Sequence, residues 1–150
     1  MNIYIDADAS PKVIKEILFR AAQRVCVPLI LVANQNMNFP KSDYISGIAV
    51  SAGPDEADDR IVELVQPGDL VVTADIPLAN RVVDKGAFAL DPRGQLYTND
   101  NIKDRLALRD LLDRLRSTGM TTGGPAPFNK KDSQAFANQL NSFLTRHCRD

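Results

Sequence analysis

Met1-Asn-Ile-Tyr-Ile-Asp6-Ala-Asp8-Ala-Ser10-Pro11 is a short apolar run broken by acid and closed by a helix-start signal. Ile3, Tyr4 and Ile5 are the β-branched and aromatic residues that suit a strand buried on both faces, as in a parallel sheet under helices. Ser10 before Pro11 reads as an N-cap followed by the first helical residue, where proline's missing N–H costs nothing. The local order is strand, acidic turn, helix. It puts Asp6 just past the carboxyl end of a strand, where open α/β sheets bind their ligands.

Outward from this stretch the same alternation repeats. Val13, Ile14, Ile17, Leu18, Ala21, Ala22 and Val25 fall at helical spacing among charged residues, predicting an amphipathic helix over 12–25. Leu29-Ile-Leu-Val-Ala33 is an unbroken apolar run of the kind a buried parallel strand shows. Asn34 to Ser46 is polar, contains Pro40 and reads as a loop. Gly47-Ile-Ala-Val-Ser51 is a third strand, and a helix opens at Asp55 with Ala57, Ile61, Leu64 and Val65 as its buried face. Leu70-Val-Val-Thr73 is the clearest strand. Ile76-Pro77 starts a helix through Ala79, Val82 and Val83, Gly86 stops it, and Ala87-Phe-Ala-Leu90 is a fifth strand. This predicts an α/β domain whose central sheet is mostly parallel, has about five strands and carries helices on both faces. After it, Asp91-Pro92-Arg93-Gly94 has type I turn chemistry. Ile102 to Leu115 marks a long helix ending before Gly119, Thr121 to Pro127 a connector, and Asn129 the cap of a last helix through Phe136, Leu140, Phe143 and Leu144. The expectation is one domain over residues 1–150, its C-terminal helices from about 100 packing on the sheet and residues 147–150 forming a tail.

With 150 residues the chain is long enough to bury about two-thirds of its unfolded surface without a metal or disulfide. Eighteen basic residues balance nineteen acidic ones, so nucleic-acid binding would need a local patch. Cys26 and Cys148 lie far apart without metal-ligand spacing, which predicts reduced thiols and no disulfide-linked partner. Acids occupy the place of a signal-peptide core, and no apolar run approaches the ~20 residues of a membrane span. A soluble, cytoplasmic protein without a membrane partner is expected.

Three acidic positions, Asp6, the Asp55/Asp58 pair and Asp75, each follow a predicted strand and precede a predicted helix, and in a parallel sheet these junctions share one edge. Carboxylates gathered there repel, so one takes up a proton or a cation joins them. Mg²⁺ or Mn²⁺ suits such hard oxygen donors. Helix capping is the competing account of each aspartate taken singly, since Asp is a favoured N-cap. Asp8 and Asp59 carry a weaker signal, because acids near a helix start also complement its dipole. The only histidine, His147, reads as a solvated end residue.

Ile5-Asp6-Ala7-Asp8-Ala9-Ser10-Pro11, Ser51-Ala-Gly53-Pro-Asp55-Glu-Ala57-Asp58, Gly68 to Ala79 and Gly124-Pro125-Ala-Pro-Phe128 together resemble the YaiI/YqxD family of small bacterial proteins, which is grouped with PIN-like domains. The resemblance runs through nearly the whole chain. It implies a three-layer PIN-like α/β fold and a metal-dependent nuclease site, with Asp6, Asp58 and Asp75 where PIN-type nucleases keep their acids. A preference for RNA rests on the resemblance alone. Members usually have cysteine where this chain has Ser10, so no thiol chemistry is required there. On this view Asp6 and Asp75 are metal ligands and Asp58 a ligand or water-orienting group. Asp8 and Asp55 belong to the wider metal set, while Ser10, Thr73 and Arg93 are candidate phosphate contacts. Two other readings stand beside it. One is a non-catalytic RNA-binding or regulatory module that keeps the acidic pocket. The other is a haloacid-dehalogenase-like phosphatase, suggested by Asp6-Ala-Asp8 after a strand and opposed by Asp58-Asp59 preceding Thr73.

Overall fold

Alternating apolar runs and amphipathic segments resolve, in a computed structural model describing residues 1–34, 38–53, 55–119 and 127–147, into six strands and five α-helices. In chain order these are β1 (Ile3–Asp6), a 3₁₀ turn (Ala7–Ala9), α1 (Lys12–Val25), β2 (Leu29–Ala33), β3 (Ile45–Ala49), α2 (Glu56–Leu64) and β4 (Leu70–Val72). They continue with α3 (Ile76–Asp84), β5 (Phe88–Leu90), β6 (Leu96–Tyr97), α4 (Ile102–Ser117) and α5 (Lys130–His147). One sheet contains all six strands in the order β3-β2-β1-β4-β5-β6. The first five are parallel and β6 runs antiparallel to β5. Strand order reverses at β1, so a topological switch point lies between β1 and β4.

The period-2 alternation of strand side chains divides the core into two layers. Ile3, Ile5, Leu29, Leu31, Leu70, Val72 and Leu90 pack with Ile14 and Leu18 of α1 and with Phe136, Leu140, Phe143 and Leu144 of α5. Tyr4, Val32, Val71 and Ala89 pack with Ile61 of α2, Leu78, Ala79, Val82 and Val83 of α3 and Ile102 of α4. Helices therefore cover both faces, giving three layers. Within α4 only Ile102 is buried, and Leu108 and Leu111 are exposed. That helix runs along α3 rather than over the strands.

Several local expectations are corrected. Ser10 is not the N-cap of α1: Pro11 holds that place, no side chain caps the helix, and the Ser10 hydroxyl donates to the Asp6 carbonyl at 2.7 Å. β3 starts two residues early, at Ile45, because the Tyr44 carbonyl already accepts from Leu29 N. The sixth strand exists because the Asp91–Gly94 turn closes a hairpin: Gly94 N donates to Asp91 O and Asp91 N to Gln95 O. His147 ends α5 instead of starting a tail, its ring stacked 4.2 Å from that of Phe143. The cap of α5 is reciprocal, with Asp132 N donating to Asn129 Oδ1 and Asn129 N to Asp132 Oδ2, a capping box with aspartate in the third helical position. Pro54, positions 35–37 of the polar loop, 120–126 of the connector and 148–150 of the tail, with Cys148, lie outside the described residues.

Candidate functional site

Asp6 is the last residue of β1, at the switch point, and its Oδ1 is buried without a hydrogen-bond partner. Burial is the main cause that raises its pKa, helped by the charges of Asp8 and Asp75 and opposed by the backbone N–H groups of Ala9 and Asp8. Asp75 follows β4 and caps α3, its Oδ1 accepting from Leu78 N at 3.0 Å. Its own N–H donates to Thr73 Oγ1, also at 3.0 Å. Asp58, in the first turn of α2, is pushed up to about 6 by burial, then by the charges of Asp75, Asp6 and Asp55, and by a hydrogen bond with Asp75. Asp58 thus keeps its proton to a higher pH than an ordinary aspartate, because burial and the neighbouring carboxylates of Asp75, Asp6 and Asp55 disfavour its charged form. Capping and clustering are not exclusive for Asp75. It does both.

Asp55 is the N-cap residue of α2 but makes no side-chain cap bond, and its backbone sits in the left-handed region at φ 63°. Such a conformation costs energy in a non-glycine residue and recurs at functional sites. Asp8 is anchored by Asn34 N, which donates to its Oδ2 at 2.7 Å. A cavity of about 150 Å³ is lined by Asp6, Asp8, Asn34, Gly53, Asp55, Glu56, Ala57 and Asp58. Asp75 joins this group through Asp58. Asp59 stays apart, paired with Arg81 at 2.9 Å on the surface.

The donor chemistry fits a hard divalent cation: carboxylate oxygens predominate, and one of them is buried with nothing to accept from. Among the described residues, no group of three or more His, Cys, Asp or Glu side chains is arranged to enclose an ion. A full protein cage is not what Mg²⁺ requires, since it usually keeps several waters and is held by one or two carboxylates plus substrate phosphate.

The expected phosphate contacts fare differently. Thr73 is only 6% exposed and its hydroxyl orients Asp75, and the Ser10 hydroxyl is turned back to the Asp6 carbonyl, so both brace the acids. Arg93 pairs with Asp132 at 3.0 Å and lies 5.9 Å over the Phe128 ring. It lines a separate cavity of about 170 Å³ with Ala9, Pro11, Ala74 and Asp91, on the same sheet edge. Three residues escaped the sequence reading. Asp91 directly follows β5, at the edge where Asp6 closes β1, and burial raises its pKa. The strand-then-acid signal was present at Leu90-Asp91 but was absorbed by the turn signature. Asn34 and Glu56 carry no comparable signal.

Similarity to known proteins extends over nearly the full length of the chain. The model of a family described as "Uncharacterized BCR, YaiI/YqxD family" matches residues 4–146. The chain belongs to the YaiI/YqxD family. Among its curated relatives is the UPF0178 protein of Syntrophotalea carbinolica, 58% identical over 147 residues, covering 98% of this chain and 99% of the relative. The UPF0178 proteins of Hahella chejuensis and Maridesulfovibrio salexigens are 58% and 59% identical, each over 146 residues and 97% of both chains. No solved structure matches. In this YaiI/YqxD chain no described helix is long and apolar enough to cross a membrane, and Cys26 is a free, exposed thiol.

Proposed function

We propose that this chain is a PIN-like, Mg²⁺- or Mn²⁺-dependent nuclease of the cytoplasm that hydrolyses phosphodiesters, RNA in preference to DNA. The observation that carries the reading is the buried, partnerless Oδ1 of Asp6 beside the carboxylates of Asp58 and Asp75, at the switch point of the sheet. Asp6 and Asp75 would hold the ion, with Asp8 and Asp55 on the rim of the set. Bound there, the ion would polarise a phosphoryl oxygen and make a water nucleophilic at neutral pH. Asp58, ionised above its pKa of about 6, would orient that water through its carboxylate. Thr73 and Ser10 hold the acids in place from behind.

A thermal titration separates the ion from the substrate. A ligand bound only by the native state stabilises it by roughly 2.7 kcal/mol at a hundredfold excess over Kd. For a chain of this size that is a rise in Tm of roughly 5–10 °C. Mn²⁺ should produce such a rise in the wild type, and Asp75→Asn should abolish it. Indifference of the wild type to millimolar Mn²⁺, with and without a non-cleavable oligonucleotide, would sink the metal assignment. Metal binding without cleavage of diverse RNAs and DNAs would replace the nuclease by a binding module.

A further inference from the structure

One face of α1 stands beside the acids without being used by them. Lys12, Lys15, Glu16 and Phe19 follow the i, i+3, i+4, i+7 spacing that puts side chains on one helix face. With Ala7, Asp8, Leu31 and Asn38 they line a cavity of about 360 Å³. Asp8 lines this cavity and the 150 Å³ acidic one, so the two are neighbours across a single side chain. Lys15 Nζ donates to the Ala7 carbonyl at 3.2 Å, which holds its ammonium against the turn that follows β1. An ammonium group has three donors, so that bond leaves two.

We propose that this cavity receives one nucleotide of a single-stranded nucleic acid, the unit next to the phosphodiester held at Asp6 and Asp75. The inference rests on the nuclease reading for its substrate class. Its size falls in the range of small-ligand sites. Its chemistry is mixed in the way a nucleotide is mixed. Phe19 offers an apolar wall for a base, Asn38 and Glu16 a donor and an acceptor for its edge, and Lys12 and Lys15 two cations for the backbone phosphate. A purely anionic ligand would meet Glu16 and Asp8, and a purely apolar one would strand both lysines. The strand would then run from α1 across Asp8 to the switch point.

The test is fluorescence anisotropy with end-labelled decamers of uridylate and of deoxythymidylate, in EDTA so that metal chemistry is silent. Phe19→Leu keeps an apolar side chain against the core while removing the ring, and base stacking of this kind is worth roughly 5- to 150-fold in affinity. The expected result is a weakening in that range. Lys12→Gln with Lys15→Gln should lower the slope of log K against log salt by roughly 1.4, two phosphate contacts' worth for a single strand. Lys131→Gln on α5 should bind as the wild type does. Tighter binding of uridylate than of deoxythymidylate, or the reverse, identifies RNA or DNA as the occupant. Unchanged affinity and salt slope in both sets of variants, or no binding by the folded wild type, overturns the proposal. Cleavage on the same oligonucleotides with Mn²⁺ is read separately. Cleavage with an indifferent α1 face leaves the nuclease standing and removes this subsite, and subsite-dependent binding without cleavage does the opposite.

Discussion

Two aspartates at opposite ends of adjacent strands are treated in opposite ways. Asp69 precedes β4, is 4% exposed, and spends both carboxylate oxygens on backbone: Oδ1 accepts from Asn2 N at 2.9 Å and Oδ2 from Gln66 N at 2.8 Å. It staples the start of β1 to the turn before β4. Asp6 closes β1 at the other end with an oxygen that accepts nothing. Burying a polar atom without a partner costs stability, so stability is not what keeps it there. Asp69→Ala should therefore cost roughly 2–4 kcal/mol in urea unfolding, because two backbone donors are stranded. Asp6→Asn should unfold at the same urea concentration or a higher one. Equal losses in the two variants would mean that the unsatisfied oxygen of Asp6 contributes to stability as the stapled carboxylate of Asp69 does. Asp58 adds a pH dependence. Its folded pKa of about 6 lies above the 3.8 of an ordinary aspartate, so between those values the folded state holds more protons than the unfolded one. Its contribution is complete below about pH 4 and is lost as pH rises through 6. Asp58→Asn mimics the protonated form, so it should raise Tm by a few degrees at pH 8 in EDTA and leave it unchanged at pH 4. An equal effect at both values would mean that Asp58 is not carrying a displaced proton.

At the scale of elements, the hairpin between β5 and β6 shows what pattern reading reaches and where it stops. The turn was legible in Asp91-Pro92-Arg93-Gly94, since each residue type fits its turn position. The two-residue strand it creates was not, because Leu96-Tyr97 is too short to show any period. What fixes the hairpin is tertiary: Gly94 has φ 95°, and a Cβ there would come within 2.8 Å of the Ala135 backbone in α5. A glycine in a turn cannot announce which helix will lie against it. Gly94→Ala combines left-handed strain with a clash against helical backbone. It should destabilise the chain by at least about 2 kcal/mol. Gly68→Ala, also at positive φ but with open space around it, should cost only about 1 kcal/mol. Equal losses would remove close packing on α5 as the reason for the glycine. The helices divide along the same line. Those whose apolar faces meet the sheet, α1, α2, α3 and α5, are readable by period, whereas the leucines of α4 have the same spacing and none is buried, with Leu108 and Leu111 exposed. Periodicity reports a face; it does not report what covers it.

Across the whole molecule the acids sort by sheet edge, which is why Asp6, Asp58 and Asp75 can be grouped from the sequence before their positions are known. A parallel sheet sends every strand's carboxyl end the same way, so a repeated strand-acid-helix order becomes one surface cluster. Their mutual placement was not legible, because it depends on the order β3-β2-β1-β4-β5, which the local pattern leaves open. The same topology makes a spatial prediction that no single mutant supplies. Mn²⁺ is paramagnetic and broadens the NMR signals of nuclei near it, more steeply the closer they lie. At substoichiometric Mn²⁺ the amides of Ala7, Asp8, Asn34, Asp58, Ala74 and Asp75 should broaden first, since all sit at the carboxyl ends of strands or on α2's first turn. The amides of Asn2, Gln66 and Asp69, at the opposite edge a strand's length away, should stay sharp. The α4 helix carries exposed Asp104, Asp110 and Asp113 and serves as the internal control for loose surface binding. Broadening that begins on α4, or that spreads evenly over both edges, would mean that the ion follows surface charge rather than the switch point. Asp75→Asn should abolish the selective pattern while leaving any diffuse broadening of α4 unchanged. That combination assigns the ion to the crevice between β1 and β4 independently of any assay of cleavage.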